Sequence, residues 1–339
     1  MNPDIELRTL TDGGQTADDV AVAVADFLDG ARRTLDLAQY DFDLGADTAR
    51  IVGDALRRAA ARGVRIRLAY NVDHAKPIPV PPPPSPDETL IASLPVDATA
   101  VPGVPDLMHH KYVVRDGDTV WTGSLNWSDD AWSRQENVVA IVRSAEIAAD
   151  YARDFAQLVA AVDVAGSGAV EPVWHENVRV WFTPAHGADL SHRIAQAIGL
   201  ARRRVRVCSP VLTTGPVLGA LAATRVDVAG CVDQTQVRGV VEQWREDGRR
   251  RWKLPLLERV AARSFSAKRS TPFGSGVRDF MHAKVTVADD TAFVGSFNLS
   301  RSGERNAENV LEIADAELAE RLAGFVDEVR ARYPALSLS

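Results

Sequence analysis

The strongest constraint on this chain is that it repeats itself once. His109-x-Lys111, Asp116, Gly123-Ser124-Leu125-Asn126 and Glu136-Asn137 recur as His282-x-Lys284, Asp289, Gly295-Ser296-Phe297-Asn298 and Glu308-Asn309. Matching residues are offset by 173 positions through the aspartate and by 172 from the glycine onward. One repeat of half-chain length means two related halves rather than a solenoid. With 339 residues, each half is long enough to fold around a core of its own. Ala165-Gly-Ser-Gly-Ala-Val-Glu-Pro172 has the composition of a linker. The expected division is therefore 1–168, carrying the first motif at 109–126, and 173–339, carrying the second at 282–298.

Local signals give the order of elements. Thr16 precedes an Ala/Val-rich run with Asp18 and Asp19 in its first turn, which predicts an N-capped helix ending near Gly30. Residues 34–40 alternate as a strand, 46–62 read as a helix stopped by Gly63, and 64–70 return as a strand. This β-α-β order predicts a parallel pair. The segment 77–86 holds seven prolines and reads as an extended loop near the site mouth. Residues 108–115 and 118–121 form a hairpin across Asp116-Gly117, followed by a strand at 136–142 and a helix at 144–163. The second half repeats the scheme. Strands near 204–208 and 226–231 flank a helix from about Val217, 281–287 and 291–295 rebuild the hairpin, and 309–313 and 315–332 close it. Ala201-Arg202-Arg203 echoes Ala31-Arg32-Arg33, whereas 234–270 has no clear counterpart.

The chemistry follows from side-chain direction on a strand. His109 and Lys111 share one face and His110 the other; His282 and Lys284 behave alike, with Ala283 in the place of His110. Adjacent strand residues do not converge on one ion, and neither half has zinc-site spacing, so no metal or other cofactor is expected. Two facing His–Lys–Asn sets suit a phosphodiester. Lys111 and Lys284 would neutralise charge at the transferring oxygens, and Asn126 and Asn298 would donate hydrogen bonds to them. One imidazole can attack phosphorus while the other protonates the leaving oxygen. Glu136 and Glu308 would fix the tautomers of the histidines. His74, His175, His186 and His192 have no partner in the repeat and read as ordinary loop or helix-face residues. Trp127, Trp132, Trp244 and Trp252 read as core or rim packing.

The doubled His-x-Lys-x4-Asp with Gly-Ser-x-Asn resembles the phospholipase D superfamily, and the resemblance covers most of the chain. It implies an α/β fold of two similar α/β/α sandwich lobes in pseudo-twofold arrangement, with the site at their interface. It also implies a phosphohistidine intermediate, with His109 as nucleophile and His282 as general acid that later activates water. Asp116 and Asp289 are implied to hold the motif loop. One residue is missing between Asp289 and Gly295, and a deletion in the hairpin turn would leave the chemistry untouched. Met108-His109-His110-Lys111 and the Gly-Ser-Leu-Asn-Trp127 wording are similar to the superfamily's nuclease branch.

Charge bears on the substrate. Residues 1–170 carry 15 basic and 26 acidic side chains, and the remainder 24 and 20. Within 238–278 there are 11 basic and 4 acidic residues, including Arg249-Arg250-Arg251 and Lys268-Arg269. The net charge of −7 and the lack of a long basic stripe favour a phospholipid head group over nucleic acid. The expected activity is metal-independent phosphodiester hydrolysis of phospholipase D type, the alternatives being an endonuclease cleaving DNA or RNA, or a phosphatidyltransferase. A lipid would need an apolar path, for which Trp244, Trp252, Leu254, Leu256 and Leu257 are available; a nucleic acid would follow Arg249–Arg251, Lys268 and Arg269. With both motifs on one chain, no oligomer is required for the site. Only Cys208 and Cys231 are present, the N-terminal residues lack signal-peptide character, and no run approaches the roughly 20 apolar residues of a membrane span. The expected location is cytoplasmic, with no stable membrane anchor.

Overall fold

The elements alternate in the same sequence twice, in a computed structural model that describes residues 2–74, 86–271 and 276–338. The first lobe runs β1 (Asp4–Leu10), α1 (Ala17–Asp29), β2 (Thr34–Gln39), β3 (Phe42–Asp43), α2 (Ala46–Ala61), β4 (Arg65–Val72), α3 (Glu88–Ser93) and β5 (Asp97–Pro102). It continues with β6 (Lys111–Arg115), β7 (Thr119–Gly123), β8 (Trp127–Ser128), α4 (Asp129–Ser133), β9 (Asn137–Arg143) and α5 (Ala145–Ala161). The second lobe holds β10 (Trp174–His175), β11 (Val178–Thr183), α6 (Gly187–Leu200), β12 (Arg204–Cys208), α7 (Gly215–Ala223), β13 (Asp227–Asp233), α8 (Gln234–Glu246) and α9 (Leu254–Ala261). It closes with β14 (Ser264–Lys268), β15 (Val285–Ala288), β16 (Thr291–Gly295), β17 (Glu308–Ala314) and α10 (Ala316–Arg332).

The sheet orders are β1-β9-β7-β6-β2-β4-β5 and β10-β11-β17-β16-β15-β12-β13-β14, so every strand of the first sheet has its equivalent in the second. The predicted parallel pair is β2 with β4, in register Thr34 to Arg65. Its equivalent pairs Arg204 with Asp227. Helix starts obey the capping signals. Thr16 and Asp19 form a reciprocal capping box on α1, Ser144 accepts from the Ile147 N–H on α5, and Asp315 caps α10 through the Leu318 N–H.

The expectation of one core per half is corrected. Separate outer cores lie under α1 and α2 in the first lobe and under α6 and α7 in the second. A third, continuous core joins the inner sheet faces, and α5 and α10 contribute Tyr151, Phe155, Phe325 and Val326 to it. A sheet covered on both sides must bury its second face somewhere, and here each lobe buries it against the other. The segment 234–270 also gains a counterpart. It forms the β13–α8–α9–β14 crossover, topologically the same as β4–α3–β5. Crossovers diverge because only the strands they connect are fixed by the sheet. Except for Pro86, the proline-rich segment lies outside the described residues.

The motif aspartates explain the Ala-Arg-Arg echo. Asp116, at φ 55°, and Asp289, at φ 51°, sit in the left-handed region that Asp tolerates in tight turns. The Asp116 carboxylate accepts N–H bonds from Arg32 (2.9 Å), Arg33 (2.7 Å) and Thr34 (2.9 Å). Asp289 accepts from Arg202 (2.7 Å), Arg203 (2.9 Å) and Arg204 (3.1 Å). Partial burial works against ionisation, but these donors hold both carboxyls below the usual carboxylate range. The missing residue is in the turn, since β15 joins β16 through Asp289-Asp290 where β6 joins β7 through 116–118. Gly123 and Gly295 lie where strand backbones nearly touch. A Cβ would meet the Val138 carbonyl oxygen at 2.1 Å in one and the Asn309 carbonyl oxygen at 2.1 Å in the other.

Candidate active site

Both His-x-Lys pairs lie at the leading ends of β6 and β15, where the two sheets face each other. Met108 bridges to Ala307 of the other lobe, and the His109 N–H donates to the Ala307 carbonyl at 2.9 Å. Loops behind the motifs are held alike. The Met108 N–H donates to Asn71 at the end of β4, and the Met281 N–H donates to Asp233 at the end of β13. His109, Lys111, His282 and Lys284 are all four buried; Lys111 opens β6, whereas His109, His282 and Lys284 lie in the segments just before β6 and β15. His110 points into the shared core, with Nε2 3.1 Å from Asp154 and Nδ1 accepting from Asn309.

Each histidine is oriented by the opposite lobe, but not by equivalent groups. The Glu308 carboxylate lies 2.8 Å from His109 Nδ1. When ionised it only accepts, so Nδ1 carries the proton and Nε2 keeps its lone pair. His282 Nδ1 instead meets Asn137 Oδ1 at 3.0 Å. The Asn137 amide is fixed because its Nδ2 donates to the Ala131 carbonyl, so its oxygen faces the ring. Glu136, the repeat equivalent of Glu308, is corrected from its expected role. Its carboxylate is taken by Lys268 Nζ at 3.2 Å and by the Tyr333 hydroxyl. An ammonium and a phenol offer a buried carboxylate more than a neutral imidazole can, and they draw it away from His282.

The lysines donate to the carbonyls of their own histidines, Lys111 to His109 at 2.7 Å and Lys284 to His282 at 2.7 Å. Burial, opposed in part by Glu308 and Asp41, pushes the Lys111 ammonium down to about 7. Burial and then Lys111 push Lys284 well down. Burial followed by the two lysines also lowers both histidines far below their usual value, so both rings are neutral in the free protein. Burial raises Glu308 to about 7, against Lys111 and the Ser296 hydroxyl. The pocket is thus over-supplied with suppressed positive charge, the condition that an entering phosphate would relieve.

Asn126 and Asn298 stand at matching positions past the hairpins, each with a buried side-chain oxygen lacking a hydrogen-bond partner among the described residues. Trp132 braces this loop by donating Nε1 to the Asn126 carbonyl, and Trp127 and Trp132 are core residues as expected.

Sequence reasoning missed three participants. Tyr40 packs edge-on against His109 with ring centroids 4.5 Å apart, and the Lys111 ammonium lies over its ring. His74, read as an ordinary loop residue, meets the Tyr40 hydroxyl at 3.2 Å. Arg278 crosses from the second lobe to Asp41 at 2.9 Å and Asp43 at 2.8 Å. None of these has a repeat partner that would have singled it out. His175 binds Asp150, His192 binds the Ala188 carbonyl, and His186 precedes α6, in keeping with the ordinary reading. Among the described residues no group of three or more His, Cys, Asp or Glu is placed to hold a metal ion, and no helix is long and apolar enough to cross a membrane.

The basic segment is not uniformly exposed, for Arg249, Arg250 and Arg251 are exposed and Lys268 is buried. Lys268 is buried in its pairing with Glu136 and Asp12, and Arg251 donates to the Arg245 carbonyl. Trp244 and Leu257 are buried in the outer core of the second lobe, whereas Trp252 is 55% exposed.

The family described as "Cardiolipin synthase, PLD-like domain" matches residues 24–159 and again 194–329. No curated protein matches the sequence. Among solved structures, phosphatidylserine synthase from Haemophilus influenzae Rd KW20 superposes with a TM-score of 0.66 at 15% identity, covering 96% of this chain and 85% of that one. Polyphosphate kinase from Porphyromonas gingivalis gives 0.57 at 12% identity, over 97% of this chain and 50% of that one. Nuc, a phospholipase D family member from Salmonella typhimurium, gives 0.34 at 17% identity, over 46% and 93%. The first two show that the two-lobed fold is shared.

Proposed function

We propose, from the premise that this chain belongs to the family of cardiolipin synthase, PLD-like domains, that it cleaves a phosphodiester through a phosphohistidine on His109. The observation that carries this reading is the 2.8 Å contact from Glu308 to His109 Nδ1, which leaves Nε2 unprotonated on a ring that feels the charges of both Lys111 and Lys284.

In the first step His109 Nε2 attacks phosphorus, the P–O bond to the leaving group breaks, and His282 gives that oxygen its proton. The Glu308 carboxylate offsets the positive charge that grows on His109. Lys111 and Lys284 neutralise the non-bridging oxygens, the role a divalent cation plays elsewhere. The diester anion restores protonation to the lysines and to His282 by opposing the like-charge and burial effects that suppress it. In the second step His282 takes the proton of an acceptor oxygen, that oxygen attacks phosphorus, and the P–N bond breaks. Asn126 and Asn298 bind phosphoryl oxygens, and Asp116 and Asp289 keep the motif loops in place.

A phospholipid head group is favoured over a nucleic acid. The chain carries a net charge of −7, and Lys268 of the basic segment is spent in a buried ion pair with Glu136, which lessens the positive charge available to a polyanion. The test is an assay of phospholipids and of single- and double-stranded DNA and RNA in excess chelator, with and without an added primary alcohol. Head-group release in chelator supports the proposal, and alcohol adducts identify transfer in place of hydrolysis. Nucleic-acid cleavage with no lipid turnover overturns the substrate assignment. Activity lost in chelator and restored by one metal overturns the mechanism.

A further inference from the structure

A cavity opens beside the catalytic interface, not on it. Its volume is about 400 Å³, and its walls come from α8, the turn after it and the loop joining Asn298 to Glu308. That volume lies in the roughly 300–1,000 Å³ range of small-molecule sites. Asp106 lines it three residues before His109, and Ser300 two residues after Asn298, so the chain itself keeps parts of its rim within about 11 Å of His109 and about 7 Å of Asn298.

Four cationic side chains line this cavity: Arg250, Lys253, Arg301 and Arg305. Two are balanced, since Arg250 lies 3.3 Å from Asp247 and Arg305 lies 3.1 Å from Asp106. The other two are not. Lys253 spends its ammonium on the Thr213 carbonyl, at 2.6 Å, and on the faces of Trp244 and Trp252. Arg301 has no hydrogen bond or ion pair among the described residues. Burial, Arg250 and Arg301 all depress the Lys253 ammonium, and Glu304 alone supports it. Arg250, Arg301 and Arg305 are exposed and Lys253 is partly buried; like charges gathered on one concave wall repel one another until an anion joins them, and a guanidinium with free N–H groups suits phosphoryl oxygens.

We infer that this cavity binds a second phosphoryl group carried by the same substrate whose diester is cleaved at His109. The inference rests on the phosphodiesterase reading and deepens it: the substrate bears two phosphorus centres, one scissile and one held by Arg301 and Lys253. The side chain of Arg301 is a specificity determinant and takes no part in bond cleavage.

Two 4-nitrophenyl phosphodiesters test this, one with an uncharged alkyl arm and one whose arm ends in a phosphomonoester. Wild type should prefer the second by about 10- to 100-fold in kcat/KM, the range for one or two hydrogen bonds to a charged group. In Arg301→Ala the preference should fall to within about threefold while cleavage of the uncharged diester is unchanged, and Arg301→Lys should restore part of it. Tryptophan fluorescence should also report saturable binding of inorganic pyrophosphate in wild type that weakens in Arg301→Ala. Equal rates for the two diesters, or a preference that persists in Arg301→Ala, overturn the inference while leaving the phosphodiesterase reading intact. If folded wild type cleaves neither diester, the phosphodiesterase reading fails. The pyrophosphate titration then decides the site alone, and its absence or its survival in Arg301→Ala overturns it.

Discussion

His109 and His282 occupy equivalent positions in the repeat, yet one has a carboxylate behind it and the other an amide. Glu308 faces His109 at 2.8 Å, whereas Asn137 faces His282 at 3.0 Å and Glu136 is bound to Lys268 and Tyr333. A carboxylate stabilises a full imidazolium and so favours a nucleophile that must carry positive charge through an intermediate. A neutral amide fixes the tautomer without that stabilisation, which suits an acid that must release its proton. Duplication supplied the same residues twice, and the packing of β14 and the end of α10 against the first lobe gave the two histidines different partners.

The largest effect should separate the histidines themselves. His109→Asn should reduce turnover by about 10⁴ or more and abolish any covalent species. In His282→Asn, phosphoenzyme should still form from a substrate with an activated leaving group, as read by mass spectrometry of quenched protein. An adduct on His282 and never on His109 reverses the assignment.

The two glutamates should fail differently. Glu308→Gln should lower kcat by about 10²–10⁴ with little change in KM, by analogy with the third member of a triad. Glu136→Gln should leave kcat within a few-fold but destabilise the protein by about 3–5 kcal/mol, because Lys268 loses its buried partner. Urea midpoints beside kinetics decide this, and equal kinetic losses would mean that Glu136 also serves a histidine.

The pH profile sharpens the same contrast. Glu308, raised to about 7, is protonated below that pH, so the reactive form is lost as pH falls through about 7. Lys111, lowered to about 7, loses its charge as pH rises through about 7. The kcat/KM of wild type, which reports the free enzyme, should therefore decline on both sides of about pH 7. The acidic limb should vanish in Glu308→Gln, and an unchanged acidic limb there removes Glu308 from the titration.

The smallest effect is expected at the amide. Asn137→Asp places a carboxylate against His282 and should move the basic limb of kcat upward by about one pH unit or more, with less than about tenfold change in the maximum. A shift downward, or none, would show that Asn137 does not orient His282.

Much of this was legible from the residues. The repeat located both His-x-Lys pairs, and strand alternation separated His109 and Lys111 from His110. The capping signals at Thr16 placed α1, and the Asp116-Gly117 turn together with the Ala-Arg-Arg echo proved to be two halves of one hydrogen-bonded unit. Within the basic run only Lys268 departs from a surface reading, because sequence proximity does not tell whether it faces water or Glu136.

The sequence determined on its own what local physics controls: strand and helix periods, caps, tight turns, and which side chains share a face. These depend on neighbours within a few positions, so the pattern carries them. Partners that lie far along the chain could only be decided by tertiary structure. Glu308 serves His109 from 199 residues away and Asn137 serves His282 from 145 away. Lys268 removes Glu136 from the site, and the inner sheet faces merge into one core. A buried charge takes whichever partner packing brings nearest, and the repeat cannot foretell that choice, because equivalent positions in the two lobes meet different neighbours.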